Sequence, residues 1–437
     1  MHPVQSGAAG EGNTMIRIMN YGQVPNSEIF SRVMTNVDVS GIVSEIIQTV
    51  RTDGDQAIRQ YTEKFDRAAL DALEVSQSEF EDAFEQVDQQ FLCVLKTAAE
   101  NIRSFHKNQV RTGFIAHRDG VTLGQKITPI ERVGIYVPGG TASYPSTVLM
   151  DTIPAKIAGC QQIIMVTPPD QNGKIAPAIL AAAKVAGVDR VFKVGGAQAV
   201  AALAYGTESI PQVDKIVGPG NAFVAEAKRQ VFGQVAIDMI AGPSEILIVA
   251  DGKSSPVHVA ADLLSQAEHD KLASAVLVTD SMELANAVQA ELERQIPLLP
   301  RAEIARKSID DHGKVIVAEN LSVVIQIANE LAPEHLELMV DNPFDYLDGI
   351  RNAGSIFMGR YCPEALGDYY AGPNHTLPTS GTARFSSPLS VDDFVKKSQF
   401  TYYTKDALAS CAADVAFFAR QEGLEAHARS ALTRNED

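Results

Sequence analysis

From Arg132 to about residue 360, short β-branched runs alternate with longer Ala-rich stretches, and this alternation constrains the fold more than any other feature of the chain. VGIYV (133–137) leads through a Gly-rich turn into STVLMDTIPAKIAG. IIMV (163–166), RVFKV (190–194) and KIV (215–217) are followed by AILAAAKVAG, AQAVAALAYG and NAFVAEAKRQVFG. Runs that are apolar throughout belong to strands buried on both faces, and helices between them supply the covering layers of a parallel sheet. The pattern then repeats. EILIVA (245–250), AVLVT (275–279) and VIV (315–317) precede VHVAADLLSQAEH, MELANAVQAELERQI and SVVIQIANELAPEH, and LELMV (336–340) and SIFM (355–358) read as further strands. The expected fold class is α/β, with two tandem Rossmann-like parallel-sheet units over residues 132–240 and 241–385 and a cleft between them. A chain of 437 residues is too long for one ordinary core, which agrees.

The flanking regions read differently. Residues 1–15 are small, polar and Gly-rich and read as a disordered lead-in. Residues 16–131 read as a helical N-terminal region, with Ile42, Val43, Ile46, Ile47 and Val50 at helical spacing and a second helix carrying Ile58 and Tyr61. That region shows no chemical signature and is expected to pack against the body of the chain and against a partner subunit. Residues 386–437 form a tail, polar at first and helical from Lys405 to Arg434. The formal charge of −17 and the lack of a dense Lys/Arg run exclude a polyanion as main partner. No apolar run reaches the roughly 18 residues of a membrane span, and no apolar leader precedes the domain. The four cysteines lack CxxC spacing. A reduced, cytoplasmic protein is expected.

Three groups of residues could carry chemistry. Gly-rich turns at strand ends, YVPGGT (136–141), VGGAQA (194–199), VGPGNA (217–222) and IAGPSEI (240–246), allow close backbone approach and can offer amides to a phosphate, although none is GxGxxG. In SQAEHD, Gln266 and His269 lie three apart on a helix, with Asp262 one turn earlier. With Asp368 and His375 from GDYYAGPNHTLP and His427 from the tail, they could form a mixed N/O site for zinc, or less well for manganese. Glu334–His335, read as the end of a helix, pairs a carboxylate with an imidazole, the usual acid/base couple near neutral pH. Cys93, Cys160 and Cys411 read as small buried apolar residues, and Cys362, near the candidate site, is the reserve nucleophile.

In order along the chain, VRTDGDQAIRQYTEKFD, VGIYVPGG, YPSTVLM, VGGAQAVAALAYGT, VDKIVGPGN, AGPSEILIVAD, DLLSQAEHD, APEHLE, AGSIFMG, GDYYAGPNHTLPT, ARFSSPLSVDDF and EGLEAH resemble the histidinol dehydrogenase family from about residue 30 to 430. The resemblance implies an NAD-dependent oxidation of L-histidinol to L-histidine through histidinal, the last step of histidine biosynthesis. It implies one zinc ion per subunit held by Gln266, His269, Asp368 and His427, with Glu334 and His335 in the acid/base roles. Substrate contacts would come from Ser244, His375 and Glu422 together with Gln266, His269, His335, Asp368 and His427. Tyr136, Pro138, Gln198 and Asn221 would line the NAD site. It also implies a homodimer in which the tail, with Glu422 and His427, completes the neighbour's site. Related dehydrogenases of hydroxyalkyl sulfonates are the nearest rival; His375 and Glu422 suit a cationic amine and imidazole better. A bilobed binding protein and a metal hydrolase are the more distant rivals.

Overall fold

In a computed structural model, residues 15–32, 38–139 and 144–435 are described. All of the expected lead-in but Met15, and the tip of the YVPGGT turn, Gly140 and Thr141, therefore lie outside the described residues. In chain order the strands are β1 (Arg17–Asn20), β2 (Phe114–Arg118), β3 (Val121–Pro129), β4 (Arg132–Tyr136), β5 (Gln162–Thr167), β6 (Arg190–Lys193), β7 (Lys215–Val217) and β8 (Ala236–Ile237). They continue with β9 (Glu245–Ala250), β10 (Ser274–Thr279), β11 (Lys314–Val317), β12 (His335–Met339), β13 (Ser355–Met358) and β14 (Val395–Tyr403).

Two parallel sheets result, as the apolar runs require. The first has the order β6-β5-β4-β7-β8 and the second β1-β11-β10-β9-β12-β13. Leaving β1 aside, each sheet places its earliest strand in the middle, sends the next two to one side and the last two to the other. Each therefore has one place where the strand order reverses, between β4 and β7 or between β9 and β12. Successive residues of a strand enter opposite layers. Ile163 and Met165 join the helices Pro145–Ala158, Pro177–Ala186 and Gln89–Lys107. Ile164 and Val166 join Gly196–Tyr205, Ala222–Val231 and the long helix Ser40–Asp66. The second sheet is covered in the same way by Pro256–Ala267, Met282–Gln295 and Ala302–His312 on one face and Leu321–Leu331 on the other.

The N-terminal helices thus complete both layers of the first sheet, the packing role expected of them. The long helix breaks at Gly54, which adopts φ 52° and ψ −129°, so the two helical runs read from the sequence are distinct. Five strands went unread, one of them the two-residue β8 at the edge of the first sheet. β1 extends the second sheet beside β11, and β14 pairs antiparallel with β3, which pairs with β2, in a separate three-stranded ribbon. These strands carry polar or exposed residues, so they lack the apolar signature of the buried sheets. The tail helices Ala412–Gln421 and Glu425–Leu432 pack on each other through Ala416, Ala419 and Ala428. No helix among the described residues is long and apolar enough to cross a membrane.

Candidate active site

The helix Leu321–Leu331 ends at Ala332, which takes φ 44° in the left-handed region, and Pro333 follows. Proline disfavours helical geometry in the residue before it, so the helix is not resumed: Glu334 immediately precedes β12 and His335 is its first residue. The pair is therefore at the start of a strand, correcting its placement at a helix end. The consequence is burial. Glu334 is 7% exposed and His335 3% exposed. β9 runs alongside, and IAGPSEI is the turn that enters it: the Glu245 amide donates to Glu334 Oε2 at 2.8 Å, and the Glu245 carbonyl lies 3.0 Å from His335 Nδ1. Ser244 immediately precedes β9, half-buried.

Around His335 the other predicted residues converge. Gln266 closes the helix Pro256–Ala267, buried, with its amide nitrogen 2.9 Å from His335 Nδ1. His269 lies two residues beyond the helix rather than on it, its amide donating to the Gln266 carbonyl. Asp368, from the short helix Glu364–Tyr369, stands 3.5 Å from His335 Nε2. His375 Nδ1 reaches the Asp368 carbonyl at 3.0 Å and its Nε2 lies 3.3 Å from Thr147 Oγ1. Glu364 was not foreseen: its Oε1 is 3.8 Å from His335 Nε2. Only the helical spacing of Glu364 and Asp368, four apart and so on one face, could have flagged it.

His335, Glu364 and Asp368 form a group able to hold a metal ion, their ligand atoms within 4.8 Å of one another. The fit of a cation rests on unspent ligand atoms: Gln266 Oε1, His335 Nε2 and Glu364 Oε1 are buried with no hydrogen-bond partner among the described residues. Such groups are costly unless something meets them. Electrostatics agree. Burial opposes the charged form of His335, yet Glu334 and then Asp368 outweigh it and push the imidazole up to about 10. Burial pushes Glu334 up to about 7 and, with the Asp368 charge, Glu364 up to about 8. His269 and His375 are held below the usual imidazole range by burial, the neutral form a ligand or hydrogen-bond acceptor requires.

Glu422 and His427 stand exposed on the tail, and among the described residues no hydrogen bond or ion pair joins them to this cluster. The cysteine readings change. Cys160 is buried and its thiol is pushed up to about 11 by that burial, but Cys93 is exposed and Cys411 half-buried. Cys362 lines a small cavity beside Asp368 and His375.

A second feature, a cleft of 1460 Å³, opens at the carboxyl end of the first sheet. Tyr136, Pro138, Gln198 and Asn221 all line it. Tyr136 is the last residue of β4, and its hydroxyl accepts the Gly196 amide at 3.0 Å. Gln198 sits in the first turn of Gly196–Tyr205, and Asn221 caps Ala222–Val231 by accepting the Phe223 and Val224 amides. Gly218 takes φ 115°, and a Cβ there would collide with the Tyr136 carbonyl, so the β4 and β7 turns can close on each other only through glycine. Two helix N-termini facing a cleft at the strand-order reversal are a ready anion site.

The cleft and the cluster are joined by a buried polar seam. Asn374 donates to the Met150 carbonyl at 2.7 Å, Thr376 Oγ1 donates to Asp151 at 2.7 Å, and Thr147 meets His375.

Comparison with known proteins gives a consistent result. The family model described as "Histidinol dehydrogenase" matches residues 31–435. A histidinol dehydrogenase of Streptococcus mutans is 55% identical over 92% of this chain and 94% of its own length. That of Bacillus subtilis is 55% identical, covering 90% and 92%. The crystal structure of histidinol dehydrogenase from Elizabethkingia anophelis matches with a TM-score of 0.92 and 39% identity, over 96% of this chain and 98% of that one.

Proposed function

This chain belongs to the histidinol dehydrogenase family, and we propose that it oxidises L-histidinol to L-histidine in two NAD-linked steps, with one zinc ion per subunit, as a cytoplasmic homodimer. The observation that carries the reading is the buried convergence of Glu334, His335, Gln266, Asp368 and His375 at one edge of the second sheet. In the first step His335 Nε2 would take the hydroxyl proton as hydride leaves the carbinol carbon, and NAD, when bound, would supply the hydride acceptor. The aldehyde then adds water. Glu334, 3.6 Å from His335 and shielded from solvent, is placed to activate that water, and His335 takes a proton again as the second hydride leaves. Two hydrides leave, one water is consumed, and the carboxylate product results. His375 and Ser244 hold the amino alcohol from the seam and from the β9 turn.

Gln266, His269 and Asp368 would hold the zinc ion from this chain, and its fixed charge would orient the substrate's imidazole and amine and offset the carboxylates that now load His335 with a proton. The fourth ligand, His427, and the substrate contact Glu422 would come from the partner's tail. Exposed Phe114, Ile115, Tyr402, Phe417 and Phe418 on the ribbon and tail support such an interface. A hydroxyalkyl sulfonate would instead need a cationic pocket, whereas carboxylates dominate here.

The test is to count NADH formed per molecule when zinc-loaded protein consumes limiting L-histidinol. Two NADH support the four-electron reaction. One NADH ends the reaction at the aldehyde and removes the water-activating role from Glu334. No NADH, with zinc and NAD bound, overturns the substrate.

A further inference from the structure

The region read as chemically silent contributes one side chain to the cofactor cleft whose position the packing does not explain. Asp66 is the last residue of the helix Ser40–Asp66 and lines the cleft with Tyr136, Gly196 and Gln198. A carboxylate at a helix C-terminus opposes the helix dipole. Its Oδ2 is buried and has no hydrogen-bond partner among the described residues. A group kept against both costs calls for a partner that arrives later.

The other acids of the lining are accounted for. Glu79 accepts from Lys193 at 2.7 Å and caps its own helix through Ser76. Asp170 is spent inside its turn, accepting the Asn172 and Lys174 amides. Asp82 points to solvent. In a standard dinucleotide fold, the ribose hydroxyls meet an acidic residue beyond the second strand of the sheet. Here that strand, β5, ends in Thr167, Pro168 and Pro169, which offer no carboxylate. Asp66 is the acid left to fill the role, and its charge already acts on the Tyr136 hydroxyl.

We propose that Asp66 receives the hydroxyl pair of the adenosine ribose and, through its charge, excludes a 2′-phosphate, so that it is the residue selecting NAD over NADP. The inference rests on the reading of the cleft as the nicotinamide-nucleotide site. The adenosine end is assigned because the cleft's lining includes none of Gln266, His269, Glu334, His335 or Asp368, so it holds the part of the dinucleotide farthest from the chemistry. Burial pushes the Asp66 carboxyl up to about 6, which leaves it ionised at neutral pH.

The experiment measures dissociation constants of NAD, NADP and NAD lacking the adenosine 2′-hydroxyl, for the full-length wild type and Asp66→Asn. In the wild type, NADP is expected about 100-fold weaker than NAD, because like charges would be pressed together. The deoxy analogue should be about 10-fold weaker, having lost a hydrogen bond to a charged acceptor. In Asp66→Asn the NAD/NADP ratio should collapse by at least about 10-fold, and the deoxy analogue should lose little more. Equal changes for NAD and NADP overturn the proposal while leaving the cofactor reading intact. So does a wild type that binds the deoxy analogue as tightly as NAD, a result that holds even if the variant does not fold. A wild type that binds neither nucleotide overturns the cofactor reading and the proposal together.

Discussion

The two parallel sheets share a strand order and put it to opposite uses. The first opens its carboxyl edge, between β4 and β7, as a cleft lined by two helix N-termini. At the corresponding edge of the second, beyond β9 and β12, Arg360 bonds both oxygens of Asp251 and one of Asp341, and Lys253 bonds Asp341. The place where a ligand would sit is closed by ion pairs. The residues proposed to carry the chemistry, Ser244 and Glu334–His335, lie instead at the amino edge of the same strands. Strand order therefore fixes where a crevice can form, but the residues that fill it decide whether it is one.

Substitutions can break or sharpen this contrast. The largest effect is expected from His335→Asn. Turnover should fall by about 10²–10⁴-fold, the usual loss for a general base. NAD affinity should not change, because the residues proposed to line its site belong to the other sheet; a parallel loss of NAD binding in an equilibrium titration would dissolve the distinction. Next is Arg360→Met, which removes the guanidinium from Asp251 and leaves Asp341 with Lys253 alone. Losing the half-buried pair with Asp251 should cost about 1 kcal/mol in denaturant unfolding. Activity should be kept, and a large drop in kcat/KM in a still-folded variant would mean that this edge serves the reaction after all. The smallest effect concerns the seam between the units. Burial pushes the Asp151 carboxyl up to about 8 from its ordinary 3.8, so folding takes up a proton between those values and stability falls as pH rises through that window. Asn at position 151 can still accept from Thr376 but has no proton to lose. From pH 5 to 8, Asp151→Asn should therefore lose less melting temperature than the wild type, by about 2–4 °C. Parallel melting curves would remove Asp151 from that account.

How legible all this was depends on what each residue's neighbours had to be. VGIYV and EILIVA announce buried parallel strands because no other setting tolerates unbroken apolar runs. β14 does not announce itself, since VKKSQFTYY lies on an open ribbon where either face may be polar. The residues around His335 could be named through family resemblance, but their setting could not. Pro333 carried the signal that the helix does not run on to Glu334, and it was outweighed by the apolar periodicity just before it. Glu364 and Asp66 were invisible for a common reason. Each is an ordinary acid at a helix position, and only the fold brings one to within 3.8 Å of His335 and buries the other without a partner.

The seam has a mechanical consequence. Helix Pro145–Ala158 is tied to the segment Asn374–Thr376 by buried hydrogen bonds, which would have to break for the two units to swing apart like the lobes of a clamshell. A two-step oxidation must release one spent nucleotide and admit a fresh one while the aldehyde waits. With the nucleotide in the first sheet's cleft, as proposed, a tied frame with separate doors would let it come and go at one edge without loosening the grip at the other.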